Sequence, residues 1–160
     1  MLCGKRLNTK DVLNITFKIV NSIRENALQR ILFKSQLVDE DKELVLFSKF
    51  MEKFILLIED IKSFLNERGE IYPQLEDKNW LLELSFLVDL CEKLTNLNLE
   101  LQGKDKKVID MLSSIKSFQT YLVLLKENLN TRDLRHFPHL SKFINENPEF
   151  LQCDLQIFEI

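Results

Sequence analysis

Residues 108–129 carry the strongest constraint in the chain. Val108, Met111, Ile115, Phe118, Leu122, Leu125 and Leu129 recur at alternating spacings of three and four, with no polar residue among them. That period is the seam of a packed α-helix. A second seam precedes it: Trp80, Leu84, Leu87, Cys91, Leu94, Asn98 and Leu101. The two cannot be one seam, because extending the earlier one puts Asp105 in the core and misses Met111 and Phe118. The register therefore breaks between them. Gly103 is placed to end the earlier helix as a left-handed cap, and Asp105 to open the later one as N-cap or first-turn acid. A helical hairpin hinged at residues 102–105 is expected. A single helix kinked at Gly103 is the alternative, since glycine inside a helix costs only about 1 kcal/mol relative to alanine. In the earlier helix Ser85, Asp89, Glu92, Lys93 and Asn96 form a polar side, and Leu82 and Phe86 within it suggest a second packing surface.

The remaining sequence extends the pattern. The 160 residues suit one domain with a sizeable core, and three glycines and three prolines are too few for the turns of an all-β fold. Asn8 or Thr9 can cap a helix running to about Phe33, striped by Val12, Ile15, Ile19, Ile23, Ala27 and Ile31. Asp39-Glu40-Asp41 suits the positive end of another helix, seamed by Leu44, Phe47, Met51, Phe54, Ile58, Ile61 and Leu65 and reaching about Arg68. Gly69 is placed as its C′ residue, Tyr72-Pro73 keeps the chain extended, and Asp77 opens the hairpin. After a turn at residues 130–133 a short helix is expected over Leu140 to Glu146, then an irregular tail from 147 to 160. The expected fold is all-α: a single domain over residues 1–160, with four main amphipathic helices in a bundle plus a short C-terminal helix.

The same residues argue against several chemistries. A net charge of −3 with interleaved signs gives no global drive toward nucleic acid, and leaves direct nucleic-acid binding through a local patch open. The first residues lack the apolar stretch of a signal peptide, and no run approaches the ~18 apolar residues of a membrane span, so no membrane partner is expected. Cys3, Cys91 and Cys153 are an odd number at wide spacings, read as reduced thiols of an intracellular protein. His136 and His139 lie three apart, but no cysteine pair or nearby acid completes a metal set. No nucleophile–histidine–acid arrangement or phosphate loop is present. No catalytic residue, cofactor or metal is expected, and Glu59, Asp60, Asp89 and Glu92 read as solvated carboxylates. Lys104, Lys106 and Lys107 form a basic cluster at the hairpin tip, either a solvated turn or a contact for a phosphate or an acidic partner.

One stretch resembles a known group. Asn79-Trp80-Leu81, Leu84-Ser85-Phe86-Leu87 onward to Asp89, and the run from Leu94 to Lys104 containing Leu97-Asn98-Leu99 and Leu101-Gln102-Gly103-Lys104 are similar to the hAT-transposase-derived proteins of animals. That group includes general transcription factor II-I repeat, zinc-finger BED and SCAN domain-containing proteins. Ile19-Val20-Asn21-Ser22-Ile23-Arg24 and His136-Phe137-Pro138 extend the likeness over most of the chain. The resemblance implies a middle piece of such a transposase: the last helix of a ribonuclease-H-like core followed by its helical insertion, with the metal-binding acids upstream and downstream. No acid here inherits a catalytic role. Relatives carry an Arg-Trp-Leu-Ser-Arg-Gly-like segment that is absent here, where residues 44–50 pass straight through, which implies a deletion or divergence in a truncated, non-catalytic copy. The resemblance also implies a nuclear setting. The broad first helix, deprived of a sheet, then calls for another partner: the bundle itself, a second copy of the chain, or another protein.

Overall fold

The computed structural model describes residues 9–24, 43–102, 107–152 and 155, and every regular element among them is helical. Six α-helices follow in order: α1 Thr9–Arg24, α2 Glu43–Leu56, α3 Ile58–Glu67, α4 Lys78–Leu101, α5 Val108–Asn130 and α6 Pro138–Glu146. Three-residue 3-10 turns lie at Pro73–Leu75, Leu134–His136 and Pro148–Phe150. The four main helices and the short C-terminal one are those expected, except that the second is divided at Leu57. There the backbone turns to φ −102°, ψ 15°, which divides it into two shorter helices.

Local chemistry sets the ends. Gly69, at φ +71°, closes α3: its N–H reaches Asn66 O at 3.0 Å and the N–H of Glu70 reaches Leu65 O at 2.9 Å. This pair of bonds satisfies carbonyls that the helix end leaves free. Asp77 caps α4 by accepting the N–H of Asn79 at 2.9 Å. At the start of α5 the Asp110 carboxylate reaches back to the N–H of Lys107, 3.1 Å away. Gly103 and Asp105, expected to shape the hinge, lie outside the described residues, as does the expected continuation of α1 to Phe33. Arg132 ends α5 with the same two-bond closure as Gly69, at φ +57°.

The helices enclose two hydrophobic cores with α4 as their common wall. Core one joins Val12, Ile19 and Ile23 of α1 and Met51, Phe54 and Leu65 of α2 and α3 to Trp80, Leu84, Leu87 and Cys91 of α4. Core two lies across α4, where Leu82 and Phe86 meet Leu125 and Leu129 of α5, Phe137, and Leu140 and Ile144 of α6. Phe150 and Leu155 of the tail close it. The suspected second packing surface at Leu82 and Phe86 is therefore real. It also decides the hairpin: α5 packs on this side of α4, and the Trp80 seam faces α1 to α3. Once three helices have covered that seam, burying Leu82 and Phe86 is the remaining large gain.

Candidate association surface

The seam of α5 divides along its length. Leu125 and Leu129 are buried in core two. Toward the N-terminus the seam residues Val108 and Ile115 are 71% and 39% exposed, and off the seam Ile109 is 76% exposed, Leu112 53% and, on a later turn, Val123 69%. Near this end the contact with α4 is polar: Ser114 Oγ donates to Glu100 Oε1 at 2.6 Å. Core two thus holds the base of the hairpin, while its outer part leaves an apolar strip uncovered. At 23 residues, with a mean hydropathy of 1.2 in its most apolar window, α5 is long and apolar enough to cross a membrane by length and composition alone. Its sequence holds no uninterrupted apolar run, because Asp110, Lys116 and the interspersed hydroxyl residues break the run without lowering the mean far.

Of the three tip lysines, Lys107 is exposed and directly precedes α5, at the near end of the strip. Lys104 and Lys106 lie outside the described residues. Lys116, also exposed, stands beside Leu112 on the helix surface.

The supposed polar side of α4 differs most from expectation. Asp89 is not solvated: it is fully buried, and its Oδ1 accepts the backbone N–H of His139 at 3.1 Å while lying 2.8 Å from the His139 Nδ1. Its Oδ2 accepts the N–H of Leu140 at 3.0 Å. The carboxylate thereby satisfies donors in the first turn of α6, where the helix dipole favours negative charge. Lys93 is buried too, with Nζ 5.4 Å from the Phe137 ring centroid. Burial lowers its pKa, opposed by the nearby charges of Asp89 and Glu92. Ser85 donates to Leu81 O at 2.8 Å. Packing of α6 across α4 converts this polar side into the polar seam of core two. Glu59, Asp60 and Glu92 are exposed, as expected.

The remaining chemistry-bearing groups do not converge. His136 Nδ1 lies 3.4 Å from Tyr121 Oη, while His139 is held by Asp89. Among the described residues no group of three or more histidine, cysteine, aspartate or glutamate side chains could hold a metal ion. Burial pushes the Cys91 thiol up to about 11, leaving it neutral in core one. An open groove of about 470 Å³ lies between the α2–α3 bend and α6, floored by Leu81 and edged by His139. Its rim charges pair off: Lys62 lies 2.9 Å from Glu59 and 3.5 Å from Glu76, and Lys142 lies 3.9 Å from Glu146. The uncovered α5 strip is thus the feature the fold leaves unexplained.

Comparison with known families places the sequence. The profile of the FAM200/GTF2IRD2 helical domain matches residues 1–130, from the first residues through α5. The chain belongs to this family. Two proteins named general transcription factor II-I repeat domain-containing protein 2 are similar along almost its whole length. The Bos taurus protein is 28% identical over 170 residues and the Mus musculus protein 29%; each alignment covers 99% of this chain and 18% of the relative. The chain therefore spans less than a fifth of the curated relatives it matches. No solved structure matches it. In this FAM200/GTF2IRD2 domain the profile includes both partners of the α4–α5 hairpin, and α6 lies beyond the matched range.

Proposed function

We propose that this chain is a transposase-derived helical domain that performs no chemistry of its own and acts by protein association, in a nuclear setting, through the outer strip of α5. One observation carries the reading: Val108, Ile109 and Leu112, neighbours on the first turns of α5, form an exposed apolar patch that neither core covers. Contiguous apolar surface of this kind marks interaction sites in folded proteins. The similarity of residues 79–104 to hAT-transposase-derived proteins supports the origin, and the relatives' name, general transcription factor, supports the nuclear setting. A second reading, a segment of a hAT-type DNA transposase whose catalytic acids lie elsewhere, draws support from the 18% share of the relatives that the chain spans.

The test uses thiol labelling. In a chain lacking Cys3 and Cys153, a cysteine at position 112 is compared with one at exposed Asn145 on α6. In the dilute purified chain both react alike; in permeabilised nuclei the position-112 thiol is labelled at least tenfold more slowly than that at 145. Equal labelling in nuclei removes the association reading. Divalent-metal-dependent DNA cleavage by the purified chain would overturn the non-catalytic part.

A further inference from the structure

We propose that the outer half of the α4–α5 hairpin, residues 96–102 with 107–113, is an arm that opens and closes as one unit while both cores stay folded, and that the Ser114–Glu100 hydrogen bond is the latch that holds it shut. This property is independent of whether the α5 patch takes a partner.

Burial stops at a definite level on both helices. On α4 the buried residues run from Trp80 to Thr95, and on α5 the first is Ser114, followed by Leu125, Asn128 and Leu129. Between Thr95 and Ser114 no described residue is buried, and Leu99, Val108, Ile109 and Leu112 are exposed. Neither core has a member there among the described residues. Opening the arm gives up the partial burial of Leu97, Leu101 and Met111, whereas opening the base of the hairpin exposes Leu125 and Leu129 of core two. Segments with so little buried apolar surface open locally, at a far lower cost than the fold as a whole. They are also too short to hold a helix by themselves in water.

The two segments are tied across the hairpin where Ser114 Oγ donates to Glu100 Oε1 at 2.6 Å. Because the bond reaches from one helix to the other, its loss acts on both. Val108, Ile109 and Leu112 lie on the arm and share one surface while it is closed, so the closed fraction scales the apparent affinity of anything that binds them.

Native-state hydrogen exchange of the full chain, read amide by amide by NMR across urea concentrations below the unfolding transition, tests this. Leu101 and Gln102 on α4 and Leu112 and Ser113 on α5 share one opening constant, about a hundredfold or more above that of Leu87 and Leu125, and urea leaves it nearly unchanged. Leu112→Gly, which weakens the helix on α5, raises exchange at Leu101 and Gln102 on α4 by about threefold. Ser114→Ala raises it by about fivefold, the worth of one hydrogen bond, and Glu100→Gln, which keeps an acceptor oxygen, raises it less. Slow exchange at Leu87 and Leu125 in the same spectra shows that each variant is folded. Outer amides that exchange as slowly as Leu87 and Leu125, with the same urea dependence, overturn the arm. Unchanged exchange at Leu101 and Gln102 in Leu112→Gly means that the two segments open separately and overturns the single unit. Unchanged exchange there in Ser114→Ala overturns the latch.

Discussion

Asp89 and His139, fifty residues apart, are joined twice: the Asp89 carboxylate accepts the backbone N–H of His139 at 3.1 Å and lies 2.8 Å from its ring Nδ1. With the Leu140 N–H on its other oxygen, this buried carboxylate is the polar clamp that fixes α6 against α4. Asp89→Ala leaves two helix N–H groups without their buried acceptor and takes away the partner of a part-exposed imidazole. A loss of about 3 kcal/mol is expected by urea denaturation. Asp89→Asn, which keeps an acceptor oxygen, loses less. A loss below about 1 kcal/mol for the alanine variant contradicts the clamp.

Gly69 separates a backbone effect from a packing effect. It sits at φ +71°, and a Cβ added there meets no atom within 4 Å. Gly69→Ala therefore costs about 1 kcal/mol through left-handed backbone strain alone. Thermal unfolding of the variant measures it, and an unchanged midpoint would contradict the left-handed closure of α3.

Cys91 reports on core one. Its thiol is raised from 9.0 to about 11 by burial, so the folded state holds the proton more tightly than the unfolded chain. That contribution is intact below pH 9 and is lost as pH rises from 9 to 11. Stability of the wild-type chain falls across that window more steeply than that of Cys91→Ala. At pH 8 iodoacetamide alkylates the native Cys91 roughly a hundredfold more slowly than an exposed cysteine, because the thiolate fraction falls tenfold for each unit of raised pKa. Alkylation at the exposed rate contradicts the placement of Cys91 in the core.

Local signals in the sequence found their places. The three-four spacing of Met51, Phe54, Leu65, Trp80 and Leu84 identified the contents of core one, and Gly69 and Asp77 act as end signals because their chemistry needs only the next few residues. Asp89 departs from the helical-period expectation for a physical reason. Helical period assigns a carboxylate opposite a seam to solvent, and its partners lie on a helix fifty residues away. The available signal was the pair Leu82 and Phe86 on the same side, which requires a cover and so buries whatever lies beside it. The break at Leu57 has no proline or glycine to announce it. For α5, an unbroken seam shows that a helix has an apolar side. It does not show that Ile109 and Leu112, which lie off that seam, stay exposed.

The most direct check is the free energy of unfolding of Ile109→Gln/Leu112→Gln beside Leu125→Ala, measured by urea denaturation in dilute solution. Ile109 and Leu112 lie outside both cores and Leu125 inside core two. The strip substitutions are expected to change stability by no more than about 0.5 kcal/mol each, as exposed substitutions do, while Leu125→Ala costs about 2–5 kcal/mol. Strip substitutions as costly as Leu125→Ala would mean that the strip belongs to the fold, and would contradict its role as a surface held for a partner.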